Sequence, residues 1–331
     1  MGILHKIIIL LRGRIMKYKI YLFATLLIFS FIAANAEATN IVCTNEVLAD
    51  FTENIVQENV TIDFIMPGGA CPSHFDTTPS DITKIISADI VISLGWEPWL
   101  SDLIEKSGNA EVVEIKCSQL GEWSLPSNAK NFTIRIRDGL AIALPEQNET
   151  IQTNSQEFLT KIDEKSNEIK NIIEDIGYSD RKIICIEWYV DFLEWLGLDV
   201  VASYNAPESL STQDQLNIST SAIDNNVCVI IDNLQSGTDF GGTVASASDA
   251  SHVVFTNFPG AIEDVDTYLE MMNYNTVELI KGITVFDYKQ ENSVDFEGQI
   301  SDMELQRNVA LVIAGIGIIL AILLYIFYKR K

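Results

Sequence analysis

Histidine and basic residues are scarce in this chain. Its 331 residues include three histidines, His5, His74 and His252, and 22 lysine and arginine residues against 46 aspartate and glutamate residues. The formal net charge at pH 7 is −24, and a surface of that sign repels polyanions, which argues against a nucleic-acid-binding protein. No Gly-x-Ser-x-Gly elbow, P-loop or Gly-x-Gly-x-x-Gly sequence follows an apolar run, so the sequence also disfavours an enzyme.

The cysteines do not have the number or the spacing of a disulfide framework. There are five, an odd number, and no two of them show a paired spacing. Four lie in apolar, strand-like runs, where cysteine is usually a small buried hydrophobic residue: Cys43, Cys117, Cys185 and Cys228. Cys71 is the exception.

Acidic residues are absent from both ends of the chain. None precedes Glu37 and none follows Glu304. At the amino end, Lys17 and Lys19 precede an apolar run over residues 20–32, and Ala34-Asn35-Ala36 matches a small-x-small cleavage site. This pattern predicts a secretory signal peptide over residues 1–36. No cysteine follows the apolar run closely enough to be a lipidation site.

The carboxyl end contains a long apolar segment. Residues 309–328 are twenty apolar or aromatic residues without a charge, and a helix of that length rises about 30 Å, the thickness of a bilayer's hydrocarbon core. Lys329, Arg330 and Lys331 follow directly, and positive charge stays on the cytoplasmic side. We therefore predict one C-terminal transmembrane helix in the cell membrane, with the ectodomain outside the cell. The alternative is a buried core helix.

Between these ends, short apolar runs alternate with helical patterns, which is typical of parallel βαβ units. The predicted strands fall into two sets of four: 40–44, 61–66, 89–94 and 111–116, then 182–186, 198–203, 226–231 and 252–256. The fold class is therefore α/β, with two Rossmann-like lobes, each with a four-stranded parallel sheet. The lobes span residues 37–150 and 179–289, and residues 290–308 are a polar tether to the membrane.

One long amphipathic pattern separates the two sets of strands. Apolar residues recur at three-, four- and seven-residue steps between 151 and 177, and Gly177 ends the pattern. A helix of about 25 residues spans close to 40 Å, enough to run along both lobes. We therefore predict a connecting backbone helix over 151–178; the alternative is an ordinary surface helix of one lobe.

Ligands of open parallel sheets bind beyond the carboxyl ends of the strands. Four loops at such ends carry polar or aromatic residues: 67–76 after the second strand, Glu187 and Trp188 after the fifth, Asp232, Asn233 and Gln235 after the seventh, and Asn257 after the eighth. Two facing lobes would bring these loops to a common cleft.

Several stretches of the chain resemble the zinc/manganese solute-binding proteins of ABC importers. They are Leu48-Ala49-Asp50-Phe51, the loop 69–76 with Thr78-Pro79-Ser80-Asp81, the run 94–100 and the run 267–275. The likeness covers roughly residues 40–282. It implies two lobes joined by one backbone helix, and capture of a divalent metal (zinc, manganese or iron) outside the cell for delivery to a membrane permease and its ATPase.

The metal ligands of that family match this chain incompletely. The resemblance implies Ala-Asp-Pro-His for the first ligand, where this chain has Ala70-Cys71-Pro72-Ser73, and it places the second ligand near Leu140. Glu187 matches the third ligand of manganese-type members, and Asn257 replaces an acidic fourth ligand.

The residues themselves indicate a different metal site. Cys71 and His74 have a Cys-x-x-His spacing, which allows a thiolate and an imidazole to bind one ion, with Glu187 and Asp232 as carboxylates from the other lobe. Mixed ligands of this kind suit zinc or ferrous iron better than magnesium or calcium. The alternative is that His74 caps a helix beginning near Pro79. We predict that His252, at the amino end of its strand and away from the cleft, is structural.

A neutral or chelated ligand is an alternative to a bare metal ion. Amide and aromatic groups favour neutral or chelated ligands, and the cleft loops carry Asn233, Gln235, Asn257 and Trp188. These residues would bind a metal complex. A further alternative is a surface-anchored interaction or sensor module that kept the fold and lost the metal site.

Overall fold

The computed structural model describes Gly2 and residues 38–57, 59–295, 313, 314, 316–321, 328 and 329. Apart from Gly2, the predicted signal peptide lies outside these residues, as does most of the predicted transmembrane segment. No helix in the described part of the chain is long and apolar enough to span a bilayer. The described residues from 40–57 and from 62 onward belong to one compact unit, which holds both lobes. Thr39 and residues 59–61 belong to a second unit, within which the Thr39 N–H donates to the Asn59 carbonyl oxygen.

The first lobe contains a four-stranded sheet in the order β2-β1-β3-β4. Its strands are β1 (Thr39–Asn45), β2 (Val60–Met66), β3 (Ile90–Ser93) and β4 (Val113–Lys116). β3 pairs in parallel with both β1 and β4. All four predicted strands of this lobe are confirmed. Val42 and Val91 are buried on the sheet and pack with Ile85 and Leu100 of the covering helices.

Four helices belong to this lobe: α1 (Glu46–Glu53), α2 (Pro79–Ile86), α3 (Leu100–Ser107) and α4 (Pro126–Ala143). Asn45 caps α1 by accepting the Leu48 N–H, which places α1 directly at the end of β1. Helix α4 was not predicted. Its buried residues Ala129, Phe132, Ile136 and Leu140 do recur at three- and four-residue steps, so a helical signal was present.

The predicted connecting helix is confirmed as α5 (Asn148–Asp175). Its 28 residues correspond to about 42 Å. A stripe of buried residues that includes Ile151, Phe158 and Ile169 faces the protein, and Gly177, with φ of 72°, follows its end. The helix packs against α4 of the first lobe and against the last helix of the second lobe. It is therefore shared by both lobes, and the alternative of a one-lobe surface helix is wrong.

The second lobe repeats the architecture, with parallel strands in the order β6-β5-β7-β8. Its strands are β5 (Lys182–Ile186), β6 (Asp199–Tyr204), β7 (Val229–Asn233) and β8 (Ser251–Phe255). Its helices are α6 (Val190–Trp195), α7 (Thr212–Asp224), α8 (Asp239–Ser248) and α9 (Tyr268–Asp295). All four predicted strands of this lobe are confirmed as well.

Residues 261–267, between β8 and α9, are not helical. Gly260 and Asp264 have positive φ, and turns occupy the residues between them, so the helix begins only at Tyr268. There the Asp50 carboxylate accepts the Tyr268 N–H at 3.0 Å. The helix then continues through residues 290–295, the first part of the stretch expected to be a tether.

The carboxyl half of α9 is held beside the start of β5. The hydroxyls of Tyr178 and Thr284 are 2.9 Å apart, and Arg181 forms an ion pair with Asp287. Residues 178 and 181 precede β5, so this half of α9 lies near the amino ends of the strands, opposite their carboxyl ends.

Candidate functional site

Hydrogen bonds between the lobes bring the four predicted loops to facing positions. The Gln235 side-chain amide donates to the Gly68 carbonyl oxygen at 2.6 Å. A fifth loop, which follows β4 and was missed, reaches the other two: the Trp123 indole N–H donates to the Asn257 carbonyl oxygen at 2.6 Å, and the Ser124 hydroxyl donates to the Trp188 carbonyl oxygen at 3.2 Å. The carboxyl ends of the two sheets therefore share one cleft.

Cys71 and His74 are on the rim of this cleft in the loop after β2. Cys71 is half-buried and precedes a single 3₁₀ turn, Pro72–His74, and the His74 N–H donates to the Cys71 carbonyl oxygen. The His74 side chain is 66% exposed, and its Nδ1 lies 4.0 Å from the Glu208 carboxylate of the second lobe. His74 does not cap α2, because Thr78 does so in a capping box with Asp81.

Glu187 follows β5 and is exposed at the cleft. Glu122, in the loop after β4, interacts electrostatically with Glu187. Burial raises the pKa of the Glu122 carboxyl to about 7, and the charges of Asp191 and Glu187 add to that rise. Glu122 therefore holds its proton more tightly than an ordinary glutamate, and it adds a second acidic group beside Glu187. The one available signal was that this loop follows a strand of the first sheet.

Asp232 does not face the cleft, so the prediction that it contributes a metal ligand is not supported. Successive residues of a strand alternate sides, and Asp232 is on the face that α8 covers, whereas Asn233 is on the other face, beside Tyr189. The buried Asp232 carboxylate accepts the Tyr204 hydroxyl at 2.5 Å and lies 2.7 Å from Nε2 of His252. His252 thus serves a structural contact, as predicted.

The amide side chains of the cleft are engaged by the protein itself. The Asn233 amide nitrogen donates to the Tyr189 hydroxyl at 2.7 Å and to the Gln235 side-chain oxygen at 3.0 Å. The Asn233 side-chain oxygen accepts from the N–H and hydroxyl of Ser236. Asn257 uses its backbone, donating its N–H to Gln235 and accepting from Trp123.

The predicted metal ligands do not assemble into one site in this geometry. Within the residues that the structure describes, no three histidine, cysteine, aspartate or glutamate side chains are grouped so as to hold an ion. Leu140, where the resemblance placed a second ligand, is a fully buried residue of α4. Cys71, His74 and Glu187 remain at the cleft, and Asp232 is on the opposite face of its sheet.

Comparison with known proteins identifies the family. The family model described as zinc-uptake complex component A, periplasmic (ZnuA) matches residues 41–282, which span both lobes and well over half of the chain. The chain belongs to the ZnuA family.

Relatives of this ZnuA-family chain bear names that concern metals. It is 26% identical over 271 residues to the manganese-binding lipoprotein MntA of Halalkalibacterium halodurans, covering 76% of this chain and 90% of MntA. It is 20% identical to the metal ABC transporter substrate-binding lipoprotein ScbA of Streptococcus cristatus, covering 74% of this chain and 89% of ScbA. The fold matches a periplasmic metal-binding protein from Candidatus Liberibacter asiaticus with a TM-score of 0.65 and 17% identity, covering 74% of this chain and 99% of that one.

The first cysteine of this ZnuA-family chain lies inside a lobe. Cys43 is the first cysteine in the sequence, and it lies within β1 with its side chain fully buried. Burial raises the pKa of its thiol far above the ordinary value. A thiol enclosed in the core of a lobe has no room for an acyl chain, so Cys43 does not carry a lipid anchor in this fold.

Proposed function

We propose that this ZnuA-family chain is the extracellular solute-binding protein of an ABC importer. It captures a divalent metal ion, zinc, manganese or iron, and delivers it to a membrane permease driven by an ATPase. The observation that carries this proposal is the family match across both lobes, whose strand-end loops face one another across one cleft. The role is capture and delivery rather than catalysis.

The proposed cargo ligands are Cys71 and His74 from the first lobe and Glu187 from the second. Cys71 is half-buried and His74 is exposed in a short loop, and the His74 ring lies 4.0 Å from the Glu208 carboxylate. Glu122 is a further oxygen ligand, since a cation beside Glu187 would offset the repulsion that the two carboxylates exert on each other. This donor set suits zinc or ferrous iron better than magnesium or calcium.

The test is titration of the ectodomain with Zn²⁺ and Mn²⁺. We expect His74→Ala to weaken both metals by about tenfold or more, because it removes a nitrogen ligand, and Cys71→Ser to weaken Zn²⁺ more than Mn²⁺, because it removes the soft ligand. Ser73→Ala is the matched control and should leave affinity unchanged. If Ser73→Ala abolished metal binding while His74→Ala bound the metals as the wild type does, the assignment of the ligands would be contradicted.

Metal affinity should also depend on pH. Because protons compete with the metal for the thiolate and the imidazole, affinity should fall as the pH is lowered.

The structure disfavours one of the two alternative functions and is compatible with the other. A chelated cargo held by the neutral amides is disfavoured, because the side chains of Asn233 and Gln235 are hydrogen-bonded within the protein. An interaction or sensor module gains support from the fact that no three metal-ligating side chains are grouped in the described residues. Elemental analysis of the purified ectodomain separates this module, which would contain no metal, from the importer subunit.

We further propose that the protein is anchored by residues 309–328 as a transmembrane helix, with the ectodomain outside. The apolar run, the basic residues after it and the buried Cys43 support this anchor over a lipid. Protease added to intact cells should release a soluble fragment of nearly the whole chain by cutting between residues 296 and 308. A protected ectodomain with an accessible carboxyl terminus would reverse the orientation.

A further inference from the structure

The side chain of Gln235 forms four hydrogen bonds, and these join three of the cleft loops. Its amide nitrogen donates to the Gly68 carbonyl oxygen at 2.6 Å and to the Thr256 hydroxyl at 3.0 Å. Its amide oxygen accepts the Asn257 N–H at 3.1 Å and the Asn233 amide nitrogen at 3.0 Å. A glutamine amide has two N–H donors and two acceptor lone pairs, so every hydrogen-bonding position of this side chain is in use.

We propose that Gln235 is a positioning residue for cargo binding: it holds the loop that carries Cys71 and His74 against the second lobe. This inference rests on the proposed function, because it concerns the same cleft. Gln235 is not itself a ligand, since its amide has no free group to offer. It acts through Gly68, which precedes Cys71 by three residues.

The bond to Gly68 is the part of this arrangement that crosses between the lobes. The bonds to Thr256, Asn257 and Asn233 stay within the second lobe and fix the Gln235 side chain in place. From the first lobe, the Gly68 N–H donates to the Glu46 carboxylate at 2.8 Å. The peptide groups of Gly68 are thus held from both lobes, and the loop 69–74 continues from that fixed point.

The chemistry at position 235 requires a neutral amide. Leucine fills similar space without any of the four bonds. Glutamate can still accept from the Asn257 N–H and the Asn233 amide, but as a carboxylate it places negative charge against the Gly68 and Thr256 oxygens. A protonated glutamate has one O–H to donate, so it can restore the bond to Gly68.

The experiment uses a nitroxide spin label on Cys71 in the metal-free protein. The other four cysteines are buried, so Cys71 is the accessible thiol in the wild-type sequence. We expect Gln235→Leu to narrow the lines of the electron paramagnetic resonance spectrum, which reports a more mobile loop. Gln213→Leu is the matched control, because Gln213 is exposed on α7 and its side-chain amide donates to Asn217 one turn along the same helix. An unchanged spectrum in Gln235→Leu would overturn the proposal.

Gln235→Glu adds a readout that a merely structural role would not produce. The label should be mobile at pH 8 and should become ordered as the pH falls to about 5, when the new carboxyl gains its proton. The wild type at the same pH values controls for Glu46, the titratable group that contacts Gly68 from the other side. A spectrum of Gln235→Glu that does not respond to pH, while the protein stays folded, would contradict the proposal.

Titration with Mn²⁺ and Zn²⁺ connects the loop to cargo binding. We expect about a tenfold loss of affinity in Gln235→Leu at a temperature where its circular dichroism is that of the wild type, and no loss in Gln213→Leu. If the wild type binds neither metal, the proposed function fails and the spin-label result still decides whether Gln235 orders the loop. If the wild type binds metal and Gln235→Leu binds it equally well, positioning by Gln235 is wrong.

Discussion

Replacing Gly68 by alanine is expected to destabilise the protein by about 1–3 kcal/mol, although the change adds a single methyl group. A Cβ built on Gly68 would lie 2.2 Å from the Pro259 carbonyl oxygen and 3.0 Å from the Ala261 nitrogen. Both atoms belong to the backbone of the second lobe, so they cannot turn aside as the end of a side chain can. Relief of this clash requires the two lobes to separate locally, and that would also stretch the bond between Gly68 and Gln235.

Gly69→Ala is the matched control for this prediction. No atom of the described residues lies within 4 Å of a Cβ at Gly69, and Gly69 does not have a positive φ, so its substitution should leave stability almost unchanged. Chemical denaturation of both variants, followed by circular dichroism, measures the difference. Equal stability of Gly68→Ala and Gly69→Ala would mean that the contact between the first lobe and Pro259 is not tight in solution.

Asp50→Asn is expected to raise stability above neutral pH while leaving it nearly unchanged at pH 4. Burial raises the pKa of the Asp50 carboxyl to about 7, against an ordinary value of 3.8, and the charges of Glu53 and Glu270 add to the rise. The folded state therefore binds the proton more tightly than the unfolded state. This contribution to stability is fully present below pH 3.8 and is lost as the pH rises through 7.

The expected size follows from the same shift. Three pKa units correspond to about 4 kcal/mol, and this is the largest difference that Asp50→Asn should show over the wild type at pH 8. The asparagine oxygen can still accept the Tyr268 N–H at the start of α9, so the hydrogen bond is kept and the buried charge is removed. Denaturation curves at pH 4, 6 and 8 measure the difference.

Asp224→Asn is the control, because Asp224 is exposed at the end of α7 and the substitution changes the net charge equally. It should give no pH-dependent gain. If Asp50→Asn were less stable than the wild type at pH 8, the ionised Asp50 would be stabilising the start of α9, and the burial argument would be wrong.

The strands and the connecting helix could be predicted because their signals are local. Apolar runs of four to seven residues define strands, and the stripe from Ile151 to Ile173 defines a helix, without knowledge of any partner. The start of α9 was harder to predict, because it depends on a hydrogen bond to Asp50, which is 218 residues earlier in the chain. A helix start that is fixed by a distant carboxylate has no pattern in its own segment.

The cleft was predicted at the level of loops and not at the level of side chains. Asp232 and Asn233 are adjacent, and which of them lies under α8 depends on the phase of strand alternation, which a shift of one residue reverses. The side-chain amides of Asn233 and Gln235 were predicted to bind the ligand. Buried polar groups are almost always hydrogen-bonded, and these two amides form a hydrogen bond with each other. Glu122 was missed because its environment is created by burial between the lobes and by the charges of Asp191 and Glu187 of the other lobe.

The position where α9 ends determines how the protein can meet a membrane. Its carboxyl half lies beside Tyr178 and Arg181, near the amino ends of the strands of the second sheet and far from the cleft. A membrane anchor after residue 308 would therefore attach to the end of the lobe opposite its cargo. The intervening residues 296–308 reach at most about 45 Å when fully extended, a length similar to that of α5. With an anchor at this end, delivery of the cargo to a permease would require the body to rotate about its carboxyl end.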